Sequence, residues 1–217
     1  MSAYMTLVKM INSDFVKFIG QKRPLYIYND IDGIMNGKIN DPMYYIVLQH
    51  YVSYHFPDKK FIDDIIAFAK NDSILEIAAG QGLTSALLLA SDIDPSKIAV
   101  TNEMSNSWNK ESGKDYIDTI EDLDYLKALD KYADHNVLMM FWPPQKSSLA
   151  ADSLKKFKGN KLIYSGQHRG GATADDDFFD ELDSHWELTS SRIKVSVFKE
   201  TENYLEFYTR KIDSLNE

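Results

Sequence analysis

The residues in this chain whose types and spacing can do chemistry begin at Glu76. An apolar run, Ser73 to Ile77, carries this carboxylate near its end and passes into Ala78-Ala79-Gly80-Gln81-Gly82. A stretch of small and apolar residues, Leu83 to Ala90, follows at once and reads as a helix. Strand, glycine turn and helix start together make a nucleotide-cofactor signature. A turn poor in side chains lets a ligand reach the backbone, and the helix start offers unpaired N–H groups. The spacing of Ala78, Gly80 and Gly82 is not the G-x-G-x-x-G of a dinucleotide site. A carboxylate at the strand tip also repels a pyrophosphate and attracts an ammonium or sulfonium. Glu103 lies 21 residues beyond Gly82, about the distance at which an acidic residue takes ribose hydroxyls.

A ligand with a ribose and a positive charge but no phosphate is S-adenosylmethionine. On these residues the chain resembles the class I S-adenosylmethionine-dependent methyltransferases. Their first motif, an acidic residue followed by G-x-G-x-G, stands here as Glu76-Ile77-Ala78-Ala79-Gly80-Gln81-Gly82, with alanine in place of the first glycine. Their second, an acidic residue closing strand two, falls on Asn102-Glu103. Glu103 is preferred, because a carboxylate accepts two hydroxyl hydrogen bonds strongly. Their adenine contact falls within Glu121-Asp122-Leu123-Asp124, with Asp122 and Asp124 preferred. The resemblance covers roughly residues 60 to 210. It implies an α/β Rossmann-like fold: a mostly parallel seven-stranded sheet closed by a C-terminal antiparallel hairpin.

The acceptor side is expected past the ends of strands four and five, where ligands bind in open α/β sheets. Strand four ends in Phe141-Trp142-Pro143-Pro144-Gln145. In amino-group methyltransferases this place carries a polar residue, two prolines and an aromatic residue, and the diproline turns a backbone carbonyl toward the amine. Here Trp142 replaces the polar residue and Gln145 the aromatic one. Trp142 and Pro143 are the expected catalytic positions, with Trp142 able to stack on a flat substrate or a cation. Strand five ends in Ser165-Gly166-Gln167-His168-Arg169-Gly170-Gly171. His168 is the candidate base, and Arg169 the candidate partner of a carboxylate or phosphate. Tyr44, Pro144, Gln145 and Gln167 complete the expected substrate contacts. Asp175-Asp176-Asp177 reads as charge at a helix start rather than as a metal site. No metal site is expected.

These positions need a scaffold of alternating strands and helices. Strands are expected at 73–77, 97–101, 116–120, 136–141 and 161–165, and helices at 84–90, 123–132, 147–157 and 174–182, the last with Thr173 as its N-cap. Two alternating runs at 191–198 and 204–209 read as an antiparallel hairpin. Strand–helix alternation implies a parallel sheet covered on both faces. Residues 1–60 read as a mostly helical cap, with Asp41-Pro42 opening one helix. Its tyrosines, Tyr44, Tyr45, Tyr51 and Tyr54, would cover the cofactor. Residues 61–217 form the cofactor-binding domain.

Composition narrows the function further. The formal charge of −9, with no Lys/Arg block, makes a nucleic-acid acceptor unlikely and leaves a small molecule or a protein side chain. There is no cysteine, so a disulfide framework, a thiolate metal site and a thiol nucleophile are all excluded. No 18-residue apolar run and no secretory leader is visible, which fits a cytoplasmic protein with no membrane partner. The oligomeric state is not readable. The expected function is methyl transfer from S-adenosylmethionine. The alternative is a non-catalytic binding module on the same fold, suggested by Ala78 and by the loss of the polar residue before Pro143-Pro144.

Overall fold

The computed structural model describes residues 57, 59–91, 93–103, 117–190, 193–194 and 203–212. Most of the expected cap, including Tyr44, Tyr45, Tyr51 and Tyr54, lies outside the described residues.

The described chain alternates as expected. Helix α1 (Lys59–Ala69) leads to β1 (Ile74–Glu76), α2 (Leu83–Ala90) and β2 (Ile98–Asn102). Strand β3 (Glu121–Asp122) and α3 (Tyr125–Lys131) precede β4 (Val137–Phe141) and α4 (Leu149–Lys156). Then come β5 (Lys161–Gly166), α5 (Asp176–His185), β6 (Trp186–Leu188), β7 (Ile193–Lys194) and β8 (Tyr204–Arg210). The sheet order is β3-β2-β1-β4-β5-β8-β6. The first five strands are parallel, and β8 enters antiparallel beside β5. Strands β6 and β7 both run along the far edge of β8, so the sheet is seven positions wide although eight strands build it.

That edge departs from the expected simple hairpin. Trp186 stands opposite Arg210, and Ile193 opposite Leu205. Seven steps of one edge therefore pass five of the other, and the ladder breaks between β6 and β7. Strand β6 was not expected, because Trp186-Glu187-Leu188 is too short to show an alternating pattern.

The core has two layers, one per face of the sheet. Along β4, Val137 and Met139 join α1 and α2, while Leu138 and Met140 join α3, α4 and α5. Burial on both faces explains why this strand is a continuous apolar run instead of an alternating one. Helix α1 is fixed by two aromatic contacts. Phe61 meets Phe141 at 5.7 Å, and Phe68 meets Phe207 at 4.9 Å. Phe141 ends β4, so the N-terminal end of α1 lies toward the carboxyl ends of the strands.

Two expected boundaries need correction. Strand three lies at Glu121–Asp122 rather than 116–120, and it pairs with β2 through Thr101↔Glu121 and Asn102↔Asp122. Helix α5 begins at Asp176 and is capped by Asp175, which accepts from the Phe178 N–H. Thr173, the expected cap, bonds instead to the Tyr164 hydroxyl and the Gln167 N–H. The carboxylate two residues on stands next to the first turn and meets its N–H, while Thr173 is taken up by the loop.

Truncating Phe61 removes a side chain that is 3% exposed and holds α1 over the carboxyl rim. Phe61→Ala is expected to lower the free energy of unfolding by about 3 kcal/mol, read from the urea midpoint.

Candidate active site

The strand order reverses between β1 and β4, which pair in parallel with Glu76 beside Met139. This is the switch point at which an open α/β sheet leaves a crevice. The turn leaving β1 and the diproline turn leaving β4 flank it.

The first turn is built by left-handed residues. Ala78, Gly80 and Gly82 have φ of 51°, 57° and 74°. The Ala79 N–H reaches the Thr101 carbonyl at 3.1 Å, and the Gly82 N–H the Ala79 carbonyl at 2.9 Å. A Cβ on Gly82 would stand 3.0 Å from Ile120 and 3.1 Å from Ile117, so space as well as φ requires glycine there. At Gly80 a Cβ would meet nothing within 4 Å, so the turn is open at that point. Ala78 takes the same left-handed conformation without the glycine that permits it freely.

Glu76 is 2% exposed. The Ser85 hydroxyl of α2 donates to its Oε2. Burial pushes its carboxyl up to about 7, against the opposing pull of the Ser85 hydrogen bonds. Ser85 was not anticipated. Its signal was a hydroxyl, next to that of Thr84, in the first turn of the helix that follows the glycine turn. Gln81 is also buried, and its Oε1 has no hydrogen-bond partner among the described residues.

The other acidic positions line the neighbouring tips. Asn102 ends β2 and is buried, while Glu103 follows it and is exposed. Asp122 ends β3 as the register partner of Asn102 and is exposed. Asp124 is the N-cap of α3 and accepts from the Leu126 and Lys127 N–H groups. Of the two aspartates, Asp122 is therefore the one at a strand tip. Glu121 beside it is engaged by Lys131 and Tyr132, and the Lys131 ammonium holds its carboxyl below the usual range.

At the tip of β4, Trp142 has φ of 53°, a left-handed conformation that is rare for a bulky residue and concentrated at functional turns. It is held there by its N–H bond to the Ser165 carbonyl, 2.8 Å. The Pro143 carbonyl accepts the Ala174 N–H at 2.8 Å, and Pro144 bridges to Thr173. The diproline is thus fastened to the loop before α5. Pro143 is buried, and Pro144 and Gln145 are exposed. Gln167 braces the same loop, its Oε1 accepting the Ala172 N–H at 2.6 Å.

Arg169 was expected to meet a substrate anion. Its guanidinium is engaged by α5, reaching Asp180 at 2.8 Å, Asp183 at 3.3 Å and Asp176 at 3.6 Å. His168 lies over Tyr204 with ring centroids 4.2 Å apart, and its Nδ1 is 3.8 Å from Glu206 Oε1. No cluster of metal-ligating side chains occurs among the described residues. No helix among them is long and apolar enough to cross a membrane.

Two predictions follow from the turn. The fully buried Glu76 carries its proton up to about 7 in the folded chain, against an ordinary 4.5. The folded state therefore binds more protons than the unfolded one between these values. Stability from this group is full below pH 4.5 and falls by about 3 kcal/mol as pH rises past 7. Urea unfolding at pH 5 and pH 8 should show this slope in the wild type and its loss in Glu76→Gln. For Ala78→Gly, relief of the left-handed strain, about 1–2 kcal/mol, exceeds the added chain entropy, about 0.5–1 kcal/mol. The variant should be more stable than wild type by the urea midpoint.

No protein-family model matches the chain, and neither does any curated protein. Solved structures resemble it weakly. The tRNA (uracil-54, C5)-methyltransferase of Pyrococcus abyssi, in complex with S-adenosyl-L-homocysteine, has a TM-score of 0.45 at 10% identity, over 70% of this chain and 37% of that one. TrmN from Thermus thermophilus has a TM-score of 0.46 at 14% identity, over 70% of this chain and 48% of that one. This chain thus spans less than half of either protein. Magnesium protoporphyrin IX methyltransferase (ChlM) from Synechocystis PCC 6803, with bound SAM, has a TM-score of 0.48 at 12% identity, over 97% of this chain and 98% of that one. Likenesses this distant carry no residue-level argument. The strand order, the reversed β8 beside β5 and the helices on both faces give this chain a Rossmann-like α/β fold.

Proposed function

We propose that this chain is an S-adenosylmethionine-dependent methyltransferase whose acceptor is a small molecule or a protein side chain. The observation that carries the reading is the row of polar tips across three adjacent strands. Glu76 ends β1, Asn102-Glu103 leaves β2, and Asp122 ends β3 in register with Asn102. A cationic head, a ribose and an adenine amino group need partners of these types in this order. The turn fits such a ligand on two further counts. Gly80 leaves its side open where a Cβ would stand, and the buried Gln81 Oε1 has no hydrogen-bond partner among the described residues.

When bound, the cofactor supplies a methyl group already activated on a sulfonium. The chain's own task is then to hold and to exclude. Glu76, Ala78, Gly80 and Gly82 form the turn that receives the charged end. Glu103 takes the ribose hydroxyls, and Asp122 the adenine amino group. Trp142, Pro143 and Pro144 fix the wall between this turn and the tip of β5, so that an acceptor is aligned rather than merely gathered. Alignment of this kind supplies much of the rate of a displacement at an activated carbon. The net charge of −9 favours a neutral or cationic acceptor over a polyanion.

Calorimetry with S-adenosylhomocysteine and S-adenosylmethionine tests the reading. Glu103→Gln and Asp122→Asn should each weaken binding about tenfold, the loss of roughly one charge-assisted hydrogen bond. The cationic ligand favours ionised Glu76, so wild-type affinity for S-adenosylmethionine should be about tenfold weaker at pH 6 than at pH 8. Absence of binding heat at millimolar ligand refutes the proposal.

A further inference from the structure

Two polar side chains are buried at the carboxyl rim of β5 and the start of β8. Ser165 is fully buried and Asn203 is 6% exposed. Neither the Ser165 hydroxyl nor the Asn203 Oδ1 has a hydrogen-bond partner among the described residues. Buried polar atoms in folded chains are nearly always paired, because an unpaired one has lost its water and gained no other partner. Two such atoms side by side call for a group that meets both.

The ladder sets them side by side. Along β5, Ile163 joins the core under α1 and α2, while Leu162 and Tyr164 join the core under α3, α4 and α5. Ser165 therefore returns to the α1–α2 face, with Phe141 of β4 and Leu205 of β8 as its register partners. Tyr204, the first residue of β8, stands opposite Gly166, so Asn203 lies one step beyond the last pair. Alternation puts Asn203 on the face of Leu205, diagonal to Ser165. Diagonal neighbours of this kind have Cα atoms about 7–8 Å apart and side chains nearer than that.

The surroundings are apolar. Phe141 and Leu205 flank Ser165, and Phe61 of α1 meets Phe141. Ile193 of β7 stands opposite Leu205 and packs against the same core. Glu76, the acid on this face, is two strands away, beyond β4. A charged group brought between these side chains would lose its water without gaining an ionic partner from them. Ser165 also belongs to the wall at the tip of β4, since its carbonyl accepts the Trp142 N–H at 2.8 Å.

We propose that Ser165 and Asn203 are the polar contacts of the acceptor subsite, and that the acceptor is an uncharged small molecule of lactam or carboxamide type. This rests on the methyltransferase reading above. Asn203 Oδ1 can only accept, so the ligand brings a donor. The Ser165 hydroxyl has a proton to give, so the ligand also brings an acceptor. A lactam carries both on neighbouring atoms of one flat group. Its N–H donates to Asn203 Oδ1, and its carbonyl accepts from Ser165 Oγ. Across the diagonal, two ligand atoms bridge the pair more readily than one hydroxyl oxygen that must reach both. The amide is the handle and not the methylated atom, because its nitrogen lone pair is delocalised into the carbonyl. A few placed polar groups within an apolar lining are what a small-molecule site offers. A lysine or arginine side chain of a protein would bring a charge that this lining does not meet.

The test titrates the full-length chain with 2-pyridone, phenol and benzoate, probes of similar size, followed by NMR with and without S-adenosylhomocysteine. 2-Pyridone should bind most tightly, and Ser165→Ala and Asn203→Leu should each weaken it about tenfold, the loss of one hydrogen bond. No saturable binding of 2-pyridone, equal binding in both variants, or tighter binding of phenol or benzoate overturns the proposal. Urea unfolding gives an independent reading. A hydroxyl with no partner in the fold loses nothing on removal, so Ser165→Ala should keep or raise the wild-type midpoint. A lower midpoint means that the hydroxyl is satisfied within the fold, and overturns the proposal. Should Asn203→Leu fail to fold, Ser165→Ala and the ranking of the probes on the wild type decide. Calorimetry with S-adenosylhomocysteine separates these failures from failure of the cofactor reading, because that ligand is assigned to the tips of β1, β2 and β3.

Discussion

The structure depends on a three-residue strand with neighbours on both sides. Ile74, Leu75 and Glu76 are all buried, and each pairs with β2 on one side and β4 on the other. Ile74 belongs to the core under α1 and α2, and Leu75 to the core under α3, α4 and α5. By alternation Glu76 returns to the first face, at the last step before the chain turns. A carboxyl placed there cannot reach bulk water, so α2 must begin close enough for Ser85 to donate to it. That requirement demands a turn of very few residues. Such a turn is achieved by three left-handed positions in five residues, which in turn places Gly82 against Ile117 and Ile120. The tight turn, the hydroxyl in the helix and the glycine contact all follow from one buried acid at the centre of the sheet.

What could be read from the sequence was whatever local pattern controls. The apolar runs of β4 and β5, the acid and the glycines after β1, and the diproline stop after β4 all fell where pattern and turn chemistry put them. Strand β3 was misplaced, because a two-residue edge strand is defined by its partners, Thr101 and Asn102, and has no pattern of its own. Strand β6 was missed for the same reason. Asp124 was a candidate ligand by composition, yet its carboxylate serves the first turn of α3. Arg169 was a candidate anion binder, yet three acids spaced along α5 meet it. In both cases the competing partner lies on a helix whose register sequence inspection does not fix. Glu206 left no trace in the reading, because an acid within Tyr204-Leu205-Glu206-Phe207-Tyr208 looks like the outward position of an edge strand. Only the insertion of β8 between β5 and β6 buries it.

The two faces of the sheet divide the work at its carboxyl rim. Glu76, Phe141 and the N-terminal end of α1 lie on the α1–α2 face. His168, Tyr164 and Glu206 lie on the α5 face. The tip of β4 joins them, since Trp142 bonds to Ser165 of β5, and Pro143 and Pro144 fasten to Ala174 and Thr173 before α5. A displacement of the loop before α5 would therefore move the wall next to the β1 turn. The left-handed Trp142 makes this link rigid, because a bulky residue stays in that conformation only where its surroundings hold it there.

The reversed strand completes the physical logic of the rim. A parallel strand beside β5 would leave the same rim by another turn into a helix. An antiparallel one instead brings its first residues to the carboxyl end of β5, so Tyr204 stands opposite Gly166 and Glu206 opposite Tyr164. Side chains from the start of β8 thus reach ligand-binding ground without any loop. The strand's interior position also removes their freedom. Tyr204 and Tyr208 are paired with β5 on one side and with β7 and β6 on the other, while Glu206, at the break between β6 and β7, is paired with β5 alone. Groups on a paired strand move less than groups on a loop. The break between β6 and β7 absorbs the mismatch this arrangement creates, at the edge, where an interrupted ladder disturbs the sheet least.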